Sequence, residues 1–111
     1  MVKVQLTRNE QNDIVAYRVE GHANSGAYGK DIVCASISVL AQTMILGIDR
    51  ILEKEPDWSM DHGSLICRVP DQISHDQRQQ INTLLETMLL GLENIRTQYP
   101  ESICIEIKEV H

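Results

Sequence analysis

The segment Gly21–Leu40 reads GHANSGAYGKDIVCASISVL and joins a predicted strand to a long apolar helix. Alternating apolar residues before it predict a strand that ends near Gly21. Gly26 and Gly29 lie in the loop that follows, and an apolar run from Ile32 predicts the helix. The loop therefore joins a histidine at the end of a strand to a cysteine in the first turn of a helix. Such a connection can bring an imidazole to a thiol and build a nucleophile.

The segments on either side of this stretch predict a small mixed fold. Upstream, alternation in Val2–Arg8 and from Val15 to Gly21, around the polar turn Asn9–Asp13, indicates an antiparallel hairpin. The predicted downstream elements are a helix from Ile32 to about Lys54, a hairpin of Asp57–Asp61 and Leu65–Val69, a helix from Ser74 to about Gln98, and a strand containing Ile103, Ile105 and Ile107. The order β-β-α-β-β-α-β indicates an α+β fold, a two-layer α/β sandwich with a mostly antiparallel sheet and two helices. We expect residues 1–111 to form a single domain.

The predicted first helix is apolar almost all round, whereas a surface helix carries a polar face. We therefore expect it to be covered on more than one side, by the sheet and the second helix or by a partner subunit. The second helix opens with Ser74-His75-Asp76-Gln77, which matches a capping box.

Charge and composition exclude several classes of function. The net charge is −6, from 16 acidic and 10 basic side chains, so we expect no direct nucleic-acid partner, because such proteins cluster Lys and Arg against phosphates. No apolar stretch approaches the ~20 residues that span a bilayer, and the first residues alternate like a strand rather than a signal peptide. These patterns predict a cytoplasmic protein without membrane contact. The three cysteines are widely spaced and form no Cys-x-x-Cys pair, and we expect no metal or cofactor.

Cys34 and His22 are the candidate catalytic pair. A lone cysteine is more often a buried apolar residue, but a thiol near a helix N-terminus or a protonated histidine is favoured as the reactive thiolate. Asp31 has two readings that the residues leave open. It caps the helix, or it orients His22 as the third member of a triad does.

Small residues flank the candidate pair. Gly21 and Ala23 leave room for a substrate backbone beside His22. Ser36 and Ser38 lie close to Cys34 in the helix, where they line the site or satisfy local backbone groups.

These residues resemble the motif of a known family. Gly21-His22-Ala23, Gly29 and the run Asp31–Leu40, with Asp-Ile-Val-Cys-Ala at its start, closely resemble the ribosomal-processing cysteine proteases. The resemblance extends along essentially the whole chain. Ser36 departs mildly from the Ala or Gly expected at that position.

The resemblance implies a sheet with two helices, a homodimer, and a Cys-His dyad. It implies cleavage of an N-terminal extension from the twenty-seventh protein of the large ribosomal subunit, near the peptidyl-transferase centre. His22 and Cys34 would be catalytic. The positions implied to support the site or bind substrate are Gly21, Ala23, Gly29, Asp31, Ala35 and Ser38.

Two other classes of function compete with a protease. A non-catalytic ribosome-associated protein could use its helix and acidic surface to bind a basic ribosomal protein. A thiol-based redox sensor is a weaker alternative, because no second cysteine lies near Cys34 in the sequence. Selective alkylation of Cys34 separates the protease from the binding protein, since pure binding needs no activated thiol.

Overall fold

The computed structural model describes residues 1–21 and 30–110. Within these ranges the chain forms five strands and two helices in the order β-β-α-β-β-α-β, which confirms the predicted fold class. The elements are β1 (Val2–Arg8), β2 (Ile14–Glu20), α1 (Lys30–Leu52), β3 (Asp57–Asp61), β4 (Ser64–Arg68), α2 (His75–Gln98) and β5 (Ile103–Glu109). The strands form one sheet in the order β3-β4-β2-β1-β5. Its pairings are antiparallel except for that of β5 with β1.

Turn chemistry sets the two hairpins. Asn9 accepts hydrogen bonds from the backbone N–H groups of Gln11 and Asp13 at 3.0 and 2.9 Å, which closes the turn between β1 and β2. His62 and Gly63 have φ values of 44° and 81° and form the two-residue turn between β3 and β4. Positive φ at both central residues is typical of a type I′ turn, whose twist matches that of the strands.

The helices cover one face of the sheet, and the core lies between these two layers. The face of β1 that carries Val2, Val4 and Leu6 is buried, each side chain being at most 2% exposed. The predicted capping box starts α2, because the Ser74 hydroxyl accepts from the Gln77 N–H at 3.1 Å and the Gln77 side chain accepts from the Ser74 N–H at 3.0 Å. Residues at helical spacing on α2 then complete the core: Ile81, Leu85, Met88, Leu89 and Leu92.

The first helix begins earlier than the sequence indicates. It runs from Lys30 to Leu52 rather than from Ile32 to Lys54. Asp31 is therefore the second helical residue, and the interpretation of Asp31 as the N-cap is wrong. Cys34 is the fifth helical residue, just beyond the first turn, so the field of the helix terminus acts on its thiol less than the sequence suggests.

Helix α1 also corrects the expectation that no segment has the length and composition of a membrane span. The 21 residues Ile32–Leu52 have a mean hydropathy of 1.8, and by length and composition alone they meet that criterion. Core helices meet it as well. The inward side chains Val33, Ile37 and Ile48 are at most 1% exposed and belong to the core shared with the sheet, and we interpret α1 as a core helix.

Tyr17 joins α1 to the middle of the sheet. Its ring is 1% exposed, and its hydroxyl donates to the carbonyl oxygen of Ala41 at 2.7 Å. Burial raises the pKa of the Tyr17 phenol well above its ordinary value, and the neighbouring Cys67 adds to the shift. The phenol therefore stays protonated and remains a donor. This bond holds α1 two turns beyond Cys34.

We predict that Tyr17→Phe lowers the free energy of unfolding by about 1 kcal/mol, because it removes a buried hydrogen bond and retains the ring. Urea unfolding followed by circular dichroism measures the change. Tyr99→Phe is the matched control, since Tyr99 is 38% exposed at the end of α2. Equal stability of wild type and Tyr17→Phe would show that this bond does not hold the helix.

Candidate active site

A small, mostly apolar cavity lies between α1 and one end of the sheet. Its volume is about 120 Å³, close to the ~150 Å³ of engineered cavities that hold a benzene molecule. Its walls come from α1, from the ends of β1 and β2, and from the β3–β4 hairpin. The lining residues are Val2, Val19, Gly21, Cys34, Ser38, Ala41, Gln42, Met60, Gly63, Ser64 and Leu65. The space suits one apolar side chain.

Helical periodicity brings the candidate nucleophile to this cavity. Cys34, Ser38 and Ala41 are spaced by four and three residues, so they share one face of α1. Their immediate helical neighbours Val33 and Ile37 are buried in the core. The thiol of Cys34 is thus held at the cavity wall by a helix that the core fixes in place, and it is only partly buried.

Gly21 forms the part of the wall where β2 ends. Its φ of +88° lies in the left-handed region, which disfavours a side chain. A Cβ atom added there would lie 2.7 Å from the carbonyl oxygen of Met1. Both the backbone conformation and the available space therefore require glycine at the position that precedes His22.

The structure brings together some of the predicted site residues. Cys34, Ser38 and Gly21 line the same cavity. Three other predicted site positions, His22, Ala23 and Gly29, lie outside the described residues.

The remaining site predictions fall on α1. The backbone of Asp31 lies in the first turn of the helix. Ala35 is exposed and is not among the described residues that line the cavity, and its implied supporting role stays a prediction. Ser36 donates its hydroxyl to the Ile32 carbonyl at 2.8 Å, which matches the alternative of a local backbone bond.

The β3–β4 hairpin contributes walls that the sequence reasoning missed. Met60, Ser64 and Leu65 line the cavity, although they lie more than twenty residues from Cys34 in sequence. Their proximity depends on the pairing of β4 with β2, a long-range contact that no local pattern reveals. The sequence did offer one signal for this wall, because the apolar residues Trp58 and Met60 alternate with polar residues and therefore lie on the same face of β3.

Cys67 is a core residue. It is 0% exposed and lies opposite Tyr17 in the pairing of β2 with β4. Burial raises the pKa of its thiol from an ordinary value near 9.0 to about 11. The thiol is therefore neutral and shielded in the folded protein at physiological pH. In the described part of the chain, no three His, Cys, Asp or Glu side chains converge where a metal ion could bind.

Comparison with known proteins identifies the family. The family model for the cysteine protease Prp matches residues 1–104. The chain belongs to the Prp family.

Relatives of this Prp-family chain cover nearly all of its length. The ribosomal processing cysteine protease Prp of Staphylococcus aureus is 29% identical over 97% of this chain and 100% of its own. A crystal structure of S. aureus Prp with a substrate peptide matches with a TM-score of 0.84 and 29% identity, covering 97% of this chain and 100% of that one. A second S. aureus structure, with a covalently linked product peptide, matches with a TM-score of 0.81 and 30% identity over the same shares. The fold of this chain is the Prp fold.

We predict that an alkylating reagent modifies Cys34 in the folded protein and leaves Cys67 unmodified at neutral pH. Cys34 borders the cavity, whereas Cys67 is buried and protonated because its pKa is raised. Peptide mass mapping after a timed exposure to iodoacetamide measures both rates, and denaturation in urea should release Cys67 for reaction. If Cys67 in the folded protein reacts as fast as Cys34, its assignment to the core is wrong.

Proposed function

We propose that this chain is a cysteine endopeptidase that removes the N-terminal extension of the twenty-seventh protein of the large ribosomal subunit. It would act in the cytoplasm during ribosome maturation. Cys34 is the nucleophile, and His22 is its general base. The observation that carries the proposal is a cysteine thiol at the wall of an apolar cavity, in a chain of the Prp family.

Several features support this assignment of roles. Cys34 is partly exposed and lines the cavity, whereas Cys67 is buried and does not line it. Of these two thiols, Cys34 is therefore the one that a substrate in the cavity can reach. His22 follows Gly21 directly in the chain, and Gly21 lines the same cavity. The relative from S. aureus has been seen with a covalently linked product peptide, which is the type of species a nucleophilic cysteine forms.

The proposed reaction proceeds in two stages. His22 accepts the proton of the Cys34 thiol, and the thiolate attacks the carbonyl carbon of the scissile bond. The C–N bond breaks as His22 returns the proton to the leaving amine, and the acyl group remains on sulfur as a thioester. Water, deprotonated by His22, then attacks the thioester. The carboxyl product leaves, and the thiol recovers its proton from His22.

We predict that Cys34→Ala and His22→Ala each reduce cleavage at least 100-fold while the protein stays folded. Removal of a nucleophile or its base usually costs several orders of magnitude. Incubation with the uncleaved ribosomal protein, followed by mass measurement of the products, gives the rate. Cys104→Ala is the matched control, because Cys104 is also partly buried but lies on β5, away from the cavity. Cleavage by Cys34→Ala at more than about a hundredth of the wild-type rate would disprove covalent catalysis at this residue.

We also propose that the chain acts as a homodimer through the outer face of α1. Ile32, Val39 and Leu46 recur at intervals of seven residues on this face and are 45%, 65% and 69% exposed. The sequence contains no charged residue between Asp31 and Asp49. Hydroxyl groups along the face are turned back onto the helix, since Thr43 donates to the Val39 carbonyl and Ser36 donates to the Ile32 carbonyl.

This outer face is suited to a second copy of the chain. The apolar stripe from Ile32 to Leu46 is about 21 Å long at 1.5 Å per residue. Two copies that each carry a net charge of −6 repel one another, and an uncharged stripe is where that repulsion is weakest. A two-fold axis pairs the same stripe from both subunits.

We predict that the double substitution Val39→Lys and Leu46→Lys converts the dimer into monomers, because it buries two unpaired ammonium groups per subunit. Analytical ultracentrifugation measures the mass. Leu90→Lys is the control, since Leu90 is 67% exposed on α2. An unchanged dimer in the double variant would place the interface elsewhere.

A further inference from the structure

Strand β3 presents an open edge beside the cavity. It is the terminal strand of the sheet in the described part of the chain, and all five of its residues are exposed. The pair Asp61–Ser64 closes the two-residue turn to β4. Such a closing pair exchanges both of its backbone hydrogen bonds, and pairs along the strands then alternate. Trp58 and Met60 therefore direct their N–H and C=O groups away from β4, toward the open edge.

The same two residues present apolar side chains on the face of the sheet that the helices cover. Trp58 and Met60 lie opposite Cys67 and Leu65, whose side chains point into the core. Trp58 is nevertheless 38% exposed and Met60 is 55% exposed. Their Cα atoms are separated by about 6.8 Å, twice the rise per residue of a strand. This separation matches that of alternate side chains on an extended peptide.

The edge is continuous with the cavity that holds Cys34. Met60 lines that cavity, and its backbone belongs to the open edge. A chain that pairs with β3 at Met60 therefore lies beside the cavity that Cys34 also lines.

We propose that the substrate binds as an added sixth strand on the open edge of β3, with alternate apolar side chains against Trp58 and Met60. This inference rests on the proposed protease function. Backbone hydrogen bonds to an exposed edge supply affinity in this mode of recognition, and side-chain contacts supply specificity. Trp58 and Met60 are then specificity-determining residues and take no part in the chemistry.

The opposite face of β3 defines the other half of the substrate pattern. Asp57, Ser59 and Asp61 alternate with the two apolar residues and point away from the helices. The Asp57 carboxylate lies 3.6 Å from the Arg68 guanidinium, and the Asp61 carboxylate lies 3.2 Å from the His62 imidazole, with both carboxylates largely exposed. Residues between the apolar positions of the substrate should therefore be polar or basic. The site selects an extended peptide of alternating apolar and basic or polar residues.

A series of modified substrates tests the strand pairing without altering the enzyme. Peptides spanning the ribosomal protein's N-terminal extension would each carry one N-methyl group on a backbone amide, omitting the residues that flank the scissile bond. An added strand uses every second amide to bond to β3, so N-methylation at alternate positions should raise KM about tenfold. The intervening positions should have little effect. A KM that does not alternate along the peptide would overturn the proposal.

Variants of β3 provide the second arm. Met60→Pro removes an outward N–H that bonds to no neighbouring strand, and proline is tolerated at such edge positions. Met60→Ala removes the side chain and retains the N–H. We expect Met60→Pro to raise KM about tenfold. Trp58→Ala and Met60→Ala should raise KM for peptides that carry apolar residues at the matching positions. Ser59→Ala changes the other face of β3 and should behave as wild type. Melting temperatures check that each variant is folded.

The controls separate this inference from the protease assignment. The rate of Cys34 alkylation by iodoacetamide requires no peptide binding, and it should be unchanged in Trp58→Ala and Ser59→Ala, whose side chains do not line the cavity that holds Cys34. If Cys34→Ala is inactive but neither the N-methyl series nor the β3 variants change KM, strand addition is wrong and the protease assignment holds. If Cys34→Ala cleaves as wild type, the protease assignment itself fails. A change of oligomeric state in Met60→Pro, with KM unchanged, would assign the edge to a second copy of the chain and overturn the proposal.

Discussion

The packing of α1 against the sheet creates the cavity and holds Cys34 at its wall. The buried side chains Val33, Ile37 and Ile48 pack the helix against the sheet. The Tyr17 hydroxyl holds the middle of the helix through a hydrogen bond to the Ala41 carbonyl. On the side of α1 that faces the end of the sheet, three of the four cavity-lining residues are small, namely Cys34, Ser38 and Ala41. The helix therefore cannot fill the space above Val2, Val19 and Leu65, and the cavity remains.

The same constraint explains the position of the thiol. Cys34 is one of the small residues on that side of α1, so it lies at the cavity wall. Cys67 shows the contrast, because it occupies a strand position beneath the helices, where burial raises the pKa of its thiol and removes it from solvent. Two cysteines of one chain thus differ in access because one lies at the end of the sheet and the other beneath its covered centre. Rigid secondary structure holds both in place, which suits a site that must position a nucleophile.

Local patterns predicted most of the fold and only part of the site. Period-two alternation and the Ser74 capping box are encoded within a few residues, and the structure confirms the two hairpins and the helix start that they predict. Cavity walls such as Met60 and Val2 come together through strand order, which depends on contacts between distant segments. Local pattern also misplaced the start of α1.

Burial along β5 is a property that the local pattern does not decide. Ile103, Ile105 and Ile107 alternate equally well in sequence, yet Ile103 is 2% exposed and Ile107 is 48% exposed. The strand continues past the part of the sheet that the helices cover. Periodicity shows which face a residue lies on, and the length of the covering layer decides whether that face is buried.

An active-site label can establish whether Cys34 is the nucleophile of a peptidase. A peptide with the sequence of the ribosomal extension, ending in a chloromethyl ketone at the scissile position, combines substrate recognition with an irreversible electrophile. Tandem mass spectrometry of the labelled protein locates the adduct. We expect one label per chain, on Cys34, with loss of cleavage in proportion to labelling. Labelling of Cys67 or Cys104 instead, or full cleavage by protein labelled at Cys34, would contradict this role of Cys34.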